Sequence, residues 1–144
     1  MTRTERFGPV VQHVDRKQQK ALKEMAHSQQ LVAQEKEKLG QLESYRREYS
    51  DRGNQANSRY TSVQLQEFNR FLAQLDDTIK RQIDVIRLRE KDLALKRANW
   101  QKSRVNSNVM HKVVENLQIE EEKLKLRNEQ KILDEFSQRR LHRD

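Results

Sequence analysis

Four histidines, a run of three glutamates, three glycines and a short arginine cluster are the residues of this chain that could do chemistry. His13, His27, His111 and His142 could ligate a metal or move protons, but no two of them stand at a metal-ligand spacing. Each lies among charged residues and reads as a solvated side chain. Glu120, Glu121 and Glu122 likewise read as a solvated charge run rather than a metal site. Gly8, Gly40 and Gly53 are too scattered to build a phosphate-cradling loop, and no Gly-Lys-Ser/Thr occurs. The chain has no cysteine, which removes thiol nucleophiles, thiolate metal sites and disulfides. A protein without catalytic residues, cofactor or metal is expected.

The formal charge of +8 raises nucleic acid as a partner. Yet Lys and Arg alternate with Glu and Asp almost throughout, as on the flanks of a coiled coil. Only Arg139, Arg140, His142 and Arg143 form a tight basic cluster. No nucleic acid is expected, and attraction to an acidic protein surface accounts for the charge equally well.

The elements that carry these residues follow from composition and period. Of the 144 residues, 36% are Asp, Glu, Lys or Arg and 33% are hydrophobic, with one proline. That is too little apolar surface for a globular core and too little turn chemistry for a sandwich or repeated βαβ units. No apolar run reaches the roughly 20 residues that span a bilayer, and Met1 to Arg6 lead into no signal-peptide core. A cytoplasmic protein is expected.

From Phe7 a four-three spacing picks out Val11, Val14, Gln18, Ala21, Met25, Ser28, Val32, Glu35, Leu39, Leu42, Arg46 and Tyr49. This is a heptad seam, and with Gly8-Pro9 read as a helix start it predicts a first helix over about 9–50. Residues 51–60 are polar, include Gly53, and read as the turn. Thr61 and Gln64 have capping-box spacing, which predicts a second helix over about 61–140. Its seam runs Leu65, Phe68, Leu72, Leu75, Ile79, Gln82, Ile86, Arg89, Leu93, Lys96 and Trp100, then reaches Met110, Val114, Leu117 and Leu124.

The expected fold is all-α: one elongated antiparallel coiled-coil hairpin over 1–144, its second helix much longer than its first. A reversal near Gln55 would set Leu42 against Phe68, Val32 against Ile79 and Val11 against Trp100. Residues 104–140 would then overhang without an intrachain partner. Their apolar stripe implies docking into another protein or a second copy, and Asn106-Ser107-Asn108 is where they could bend back. Near the turn, Leu42, Tyr45 and Tyr49 share one face and Phe68, Phe71 and Leu75 another. Such aromatics could thicken the closed end of the hairpin or form an exposed contact patch.

Leu42-x-x-Tyr45-x-x-x-Tyr49 before a polar turn, then Phe68-x-x-Phe71 with Leu75, resembles the FliJ family of flagellar type III export. Two more stretches match: Asp92-Leu93-Ala94-Leu95-Lys96 followed by Trp100-x-Lys102, and Asp134-Glu135-Phe136-Ser137-Gln138-Arg139. The resemblance implies a stalk-like coiled coil whose termini-bearing end enters the flagellar export ATPase hexamer and promotes its assembly and turnover. The hairpin end would reach the cytoplasmic domain of the membrane export gate, and export chaperones would be further partners. Leu42, Tyr45, Tyr49, Phe71 and Leu75 would form the gate-binding patch. Leu117, Leu124, Leu133, Phe136 and Arg140 would be ATPase-binding candidates. Thr78 and Gln82 stand where the family patch has small or histidine residues, so its far edge is unassigned. The resemblance also implies a cytoplasmic protein held at the inner membrane of the flagellar base only through its partners. An injectisome counterpart with the same role, or a homodimeric coiled-coil adaptor with no ATPase partner, are the other readings.

Overall fold

A computed structural model describes residues 2–143. They form an α-helix, α1, over Arg3–Ala56, a 3₁₀ turn over Asn57–Arg59, and a second α-helix, α2, over Ser62–Arg143. No strand occurs among the described residues. The architecture is the expected all-α hairpin, with α2 at 82 residues against 54 for α1.

The start of α2 is set by the capping box read from the sequence. Thr61 N–H donates to Gln64 Oε1 at 3.0 Å, and Gln64 N–H donates to Thr61 Oγ1 at 3.2 Å. The start of α1 uses the same device one helix earlier. Thr2 N–H donates to Glu5 Oε2 and Glu5 N–H to Thr2 Oγ1, both at 3.2 Å. The helix therefore begins at Arg3 rather than near Pro9, which lies inside it. At that depth Pro9 withholds the N–H that would bond the Glu5 carbonyl, a local cost that the flanking turns absorb.

The turn occupies only the last part of the expected 51–60. Residues 51–56 are helical, and the reversal uses Asn57–Arg59 followed by Tyr60 in extended conformation, with no glycine. Gly53 is not a turn residue but a buried position in α1. A β-carbon there would overlap the Phe68 ring, so glycine serves close approach rather than chain reversal.

The chain divides into two compact units. The first is Ala21–Trp100, which contains the turn. Its core is Ala21, Met25 and Val32 of α1 with Phe68, Leu75 and Ile86 of α2, all on the predicted seams. Full burial of a larger side chain of this kind is worth about 1.5–3 kcal/mol. Polar pairs interrupt this seam. Gln82 Nε2 donates to the Glu35 backbone oxygen at 2.9 Å and to Glu35 Oε2 at 2.6 Å. Ser28 Oγ donates to Asp92 Oδ2 at 3.1 Å, and Arg46 grips Asp76 through Nε and Nη2.

These pairs overturn the expected register. With Phe68 against Gly53 and Tyr49, α2 is displaced by roughly three helical turns from the pairing of Phe68 with Leu42. The later turn requires the shift, and the heptad pattern permits it because seam still faces seam.

The second unit joins residues 2–20 to α2 from Gln101 onward. Ser107 Oγ donates to Asp15 Oδ1 at 2.6 Å, and His111 Nε2 lies 2.9 Å from the same oxygen. Thr4 donates to Glu121 through its N–H at 3.2 Å and through Oγ1 at 2.9 Å. Residues 104–121 are thus not an overhang: α1 covers one side of them, because it begins upstream of Pro9. From Glu122 to Arg143 every residue of α2 is exposed. The helix is unbroken through Asn106, Ser107 and Asn108, so no bend forms there.

Candidate functional site

Within the first unit, five aromatic rings gather beside the turn. Tyr49 stacks on Phe68 with centroids 5.2 Å apart and lies 4.5 Å from Phe71. Tyr45 meets Phe71 edge to face at 6.3 Å, and Tyr60 covers Phe68 from the turn at 6.0 Å. Edge-to-face and offset arrangements of this kind add about 0.5–1.5 kcal/mol per pair beyond burial. The spacing of α1 puts Tyr45 and Tyr49 one turn apart, and the close approach at Gly53 lets Phe68 reach beneath them.

The cluster grades from structural to accessible. Phe68 and Leu75 are buried, Leu42, Tyr49 and Phe71 half-buried, and Tyr45 47% exposed. All five residues assigned by resemblance to a gate contact, Leu42, Tyr45, Tyr49, Phe71 and Leu75, therefore lie in this region of one unit. Their exposures differ: Leu75 presents little surface and Tyr45 presents most. Phe68 and Tyr60 complete the cluster but were not in the predicted set. A signal for Phe68 was present, since it is a seam residue, while Tyr60 is brought in only by the turn.

Arg46 and Asp76 brace the same region. The guanidinium hydrogen bonds hold the Asp76 carboxyl below the usual carboxylate range, and Asp76 in turn raises the Arg46 guanidinium. Gln82 belongs to a different layer, where its hydrogen bond lowers the Glu35 carboxyl. It is a seam residue engaged with α1, so it does not extend the patch.

In the second unit the ATPase-binding candidates separate into two kinds. Leu117 is half-buried beside the first residues of α1. Leu124, Leu133, Phe136 and Arg140 are exposed, Leu133 at 64% and Phe136 at 65%. Phe136 shares a shallow depression with Arg139, Arg140 and Arg143, so an apolar ring sits within a cationic rim. Ile132 and Leu141 are exposed on the same segment. Such a helix end suits an apolar partner surface edged with carboxylates.

Among the described residues no cluster of three His, Asp or Glu side chains could hold a metal ion. None of the described helices is long and apolar enough to cross a membrane. Comparison with known proteins places the chain by sequence: the family model described as flagellar FliJ protein matches residues 3–144. No curated protein and no solved structure matches the chain.

Proposed function

The chain belongs to the flagellar FliJ protein family, non-enzymatic components of flagellar type III export, and on that premise we propose that it is the stalk-like partner of the export ATPase. In this reading α2 beyond Glu121 enters the pore of the ATPase hexamer and promotes ring assembly and turnover. The aromatic cluster near the turn contacts the cytoplasmic domain of the membrane export gate, and export chaperones bind as further partners. The protein acts in the cytoplasm and reaches the membrane only through these partners.

One observation carries the reading: a helix segment that continues past its intrachain partner with Leu124, Leu133 and Phe136 uncovered and Arg140 beside them. An apolar stripe of this length is a liability on a helix that touches nothing. The exposed edge of the aromatic cluster at Tyr45 supports a second contact.

The test is hydrolysis by the cognate flagellar export ATPase, titrated with this protein. Stimulation should saturate near one chain per hexamer and should be lost in a chain ending at Glu122, which keeps the Thr4–Glu121 contact. Flat turnover from a folded chain and an assembling ATPase would overturn the proposal and favour a coiled-coil adaptor.

A further inference from the structure

The buried apolar side chains are distributed unevenly between the two units. Ala21, Met25, Val32, Phe68, Leu75 and Ile86 all belong to Ala21–Trp100. In the other unit, no apolar side chain among the described residues is buried; its buried positions are Ser103 and Ser107. Phe7, Val11 and Val14 of α1, and Met110, Val114 and Leu117 of α2, are only half-buried. Burial of apolar area is the main force that would hold two helices together, and here it is weak.

Three further features act in the same direction. Residues 3–20 carry five basic side chains against Glu5 and Asp15, while residues 101–121, which face them, carry three basic against three acidic, so net charge supplies no attraction between the two sides. Gly8 and Pro9 lie within the helical segment, and each weakens it. The hydrogen bonds that join the two sides include that of Ser107, which is buried, and those of Thr4 with Glu121 and His111 with Asp15, which lie at exposed or half-buried positions within reach of water. Water can replace the latter two at little net cost.

We propose that residues 3–20 are a detachable strap: they open from α2 as one unit while Ala21–Trp100 stays folded. Opening uncovers Met110, Val114 and Leu117, which continue the four-three seam into the already exposed Leu124. The strap thereby sets the length of apolar seam that α2 leaves uncovered. It is a built-in device for switching between a short exposed segment and a longer one. This inference stands apart from the export reading, since it concerns an equilibrium of the chain alone.

Hydrogen exchange of the intact protein, resolved by residue or short peptide, tests it. Amides across residues 3–20 should exchange together, at least about tenfold faster than those of α1 in residues 25–50, with a step near Lys20. Replacing Asp15→Ala should speed exchange across the whole strap and leave residues 25–50 unchanged. Because the chain has no cysteine, Thr4→Cys and Glu121→Cys can be joined by a short bis-maleimide, which should slow exchange over the whole of residues 3–20. Uniform protection along α1, or a gradual rise toward the N-terminus with no step, would overturn the proposal. So would an Asp15→Ala effect confined to the turn around residue 15.

Discussion

Gly53 of α1 and Phe68 of α2 are in such close approach that a β-carbon on Gly53 would occupy the edge of the Phe68 ring. That ring is in turn in contact with Tyr49, stacked on it at 5.2 Å, and with Tyr60 at 6.0 Å. Two glycines of α1 consequently make opposite predictions. Gly53→Ala should lower stability by about 1–3 kcal/mol, the usual cost of overpacking, despite alanine's better helix propensity. Gly40, inside the same helix, has open space where its β-carbon would lie. Gly40→Ala should raise stability by up to about 1 kcal/mol. Urea unfolding of both variants followed by circular dichroism checks the pair, and equal effects of the same sign would contradict the geometry.

The cap of α2 gives a second prediction. Thr61→Ala removes the acceptor for the Gln64 N–H and should cost about 0.5–2 kcal/mol. Thr61→Ser keeps the hydroxyl and should restore most of that loss in the same unfolding experiment.

The aromatic cluster separates binding from folding. Tyr45 is about half exposed and meets Phe71 only edge to face, while Tyr49 packs on both Phe68 and Phe71. Tyr45→Ala should therefore lower the melting temperature by only a few degrees, since it forfeits ring contacts worth about 0.5–1.5 kcal/mol per pair and little burial. Under the proposed function it should weaken binding to the export-gate domain, measured by calorimetry. Tyr49→Ala should lower the melting temperature further, so its binding loss alone would not identify a contact.

The pH dependence follows from three carboxyls. Asp76 is lowered by its hydrogen bond from Arg46, Glu35 by that from Gln82, and Asp15 by Ser107 and then His111. A carboxyl lowered on folding binds fewer protons in the native state than in the unfolded one near its titration. Its contribution is complete above the unfolded value and fades as pH falls through the folded one. Melting temperature should hold steady from neutral pH down to about pH 5 and decline below it. Asp76→Asn should reduce that decline, and an unchanged acid limb would show that the Arg46–Asp76 pair carries none of it.

The exposed end of α2 gives the last prediction. Phe136→Ala and Leu133→Ala touch no buried residue, so helicity and melting should stay unchanged. Under the proposed function both should weaken stimulation of the export ATPase, read as a higher concentration for half-maximal turnover.

The sequence by itself determined which faces are buried. Ala21, Met25 and Val32, and likewise Phe68, Leu75 and Ile86, lie on the four-three seams because a helix repeats its face nearly every seven residues. It also determined where α2 begins, since a capping box is local chemistry complete within four residues. The same signature at Thr2 and Glu5 was present for α1, but Gly8-Pro9 offered a competing start.

Only the tertiary structure decided the register, and with it the reach of α1 along α2. A seam of repeating apolar residues fits its partner at several offsets with similar burial. The choice among them rests on long-range pairs that no local pattern encodes: Gly53 with Phe68, Glu35 with Gln82, Arg46 with Asp76 and Thr4 with Glu121. Each needs one particular residue opposite another, and a polar partner left alone at the wrong offset would lose its hydrogen bond.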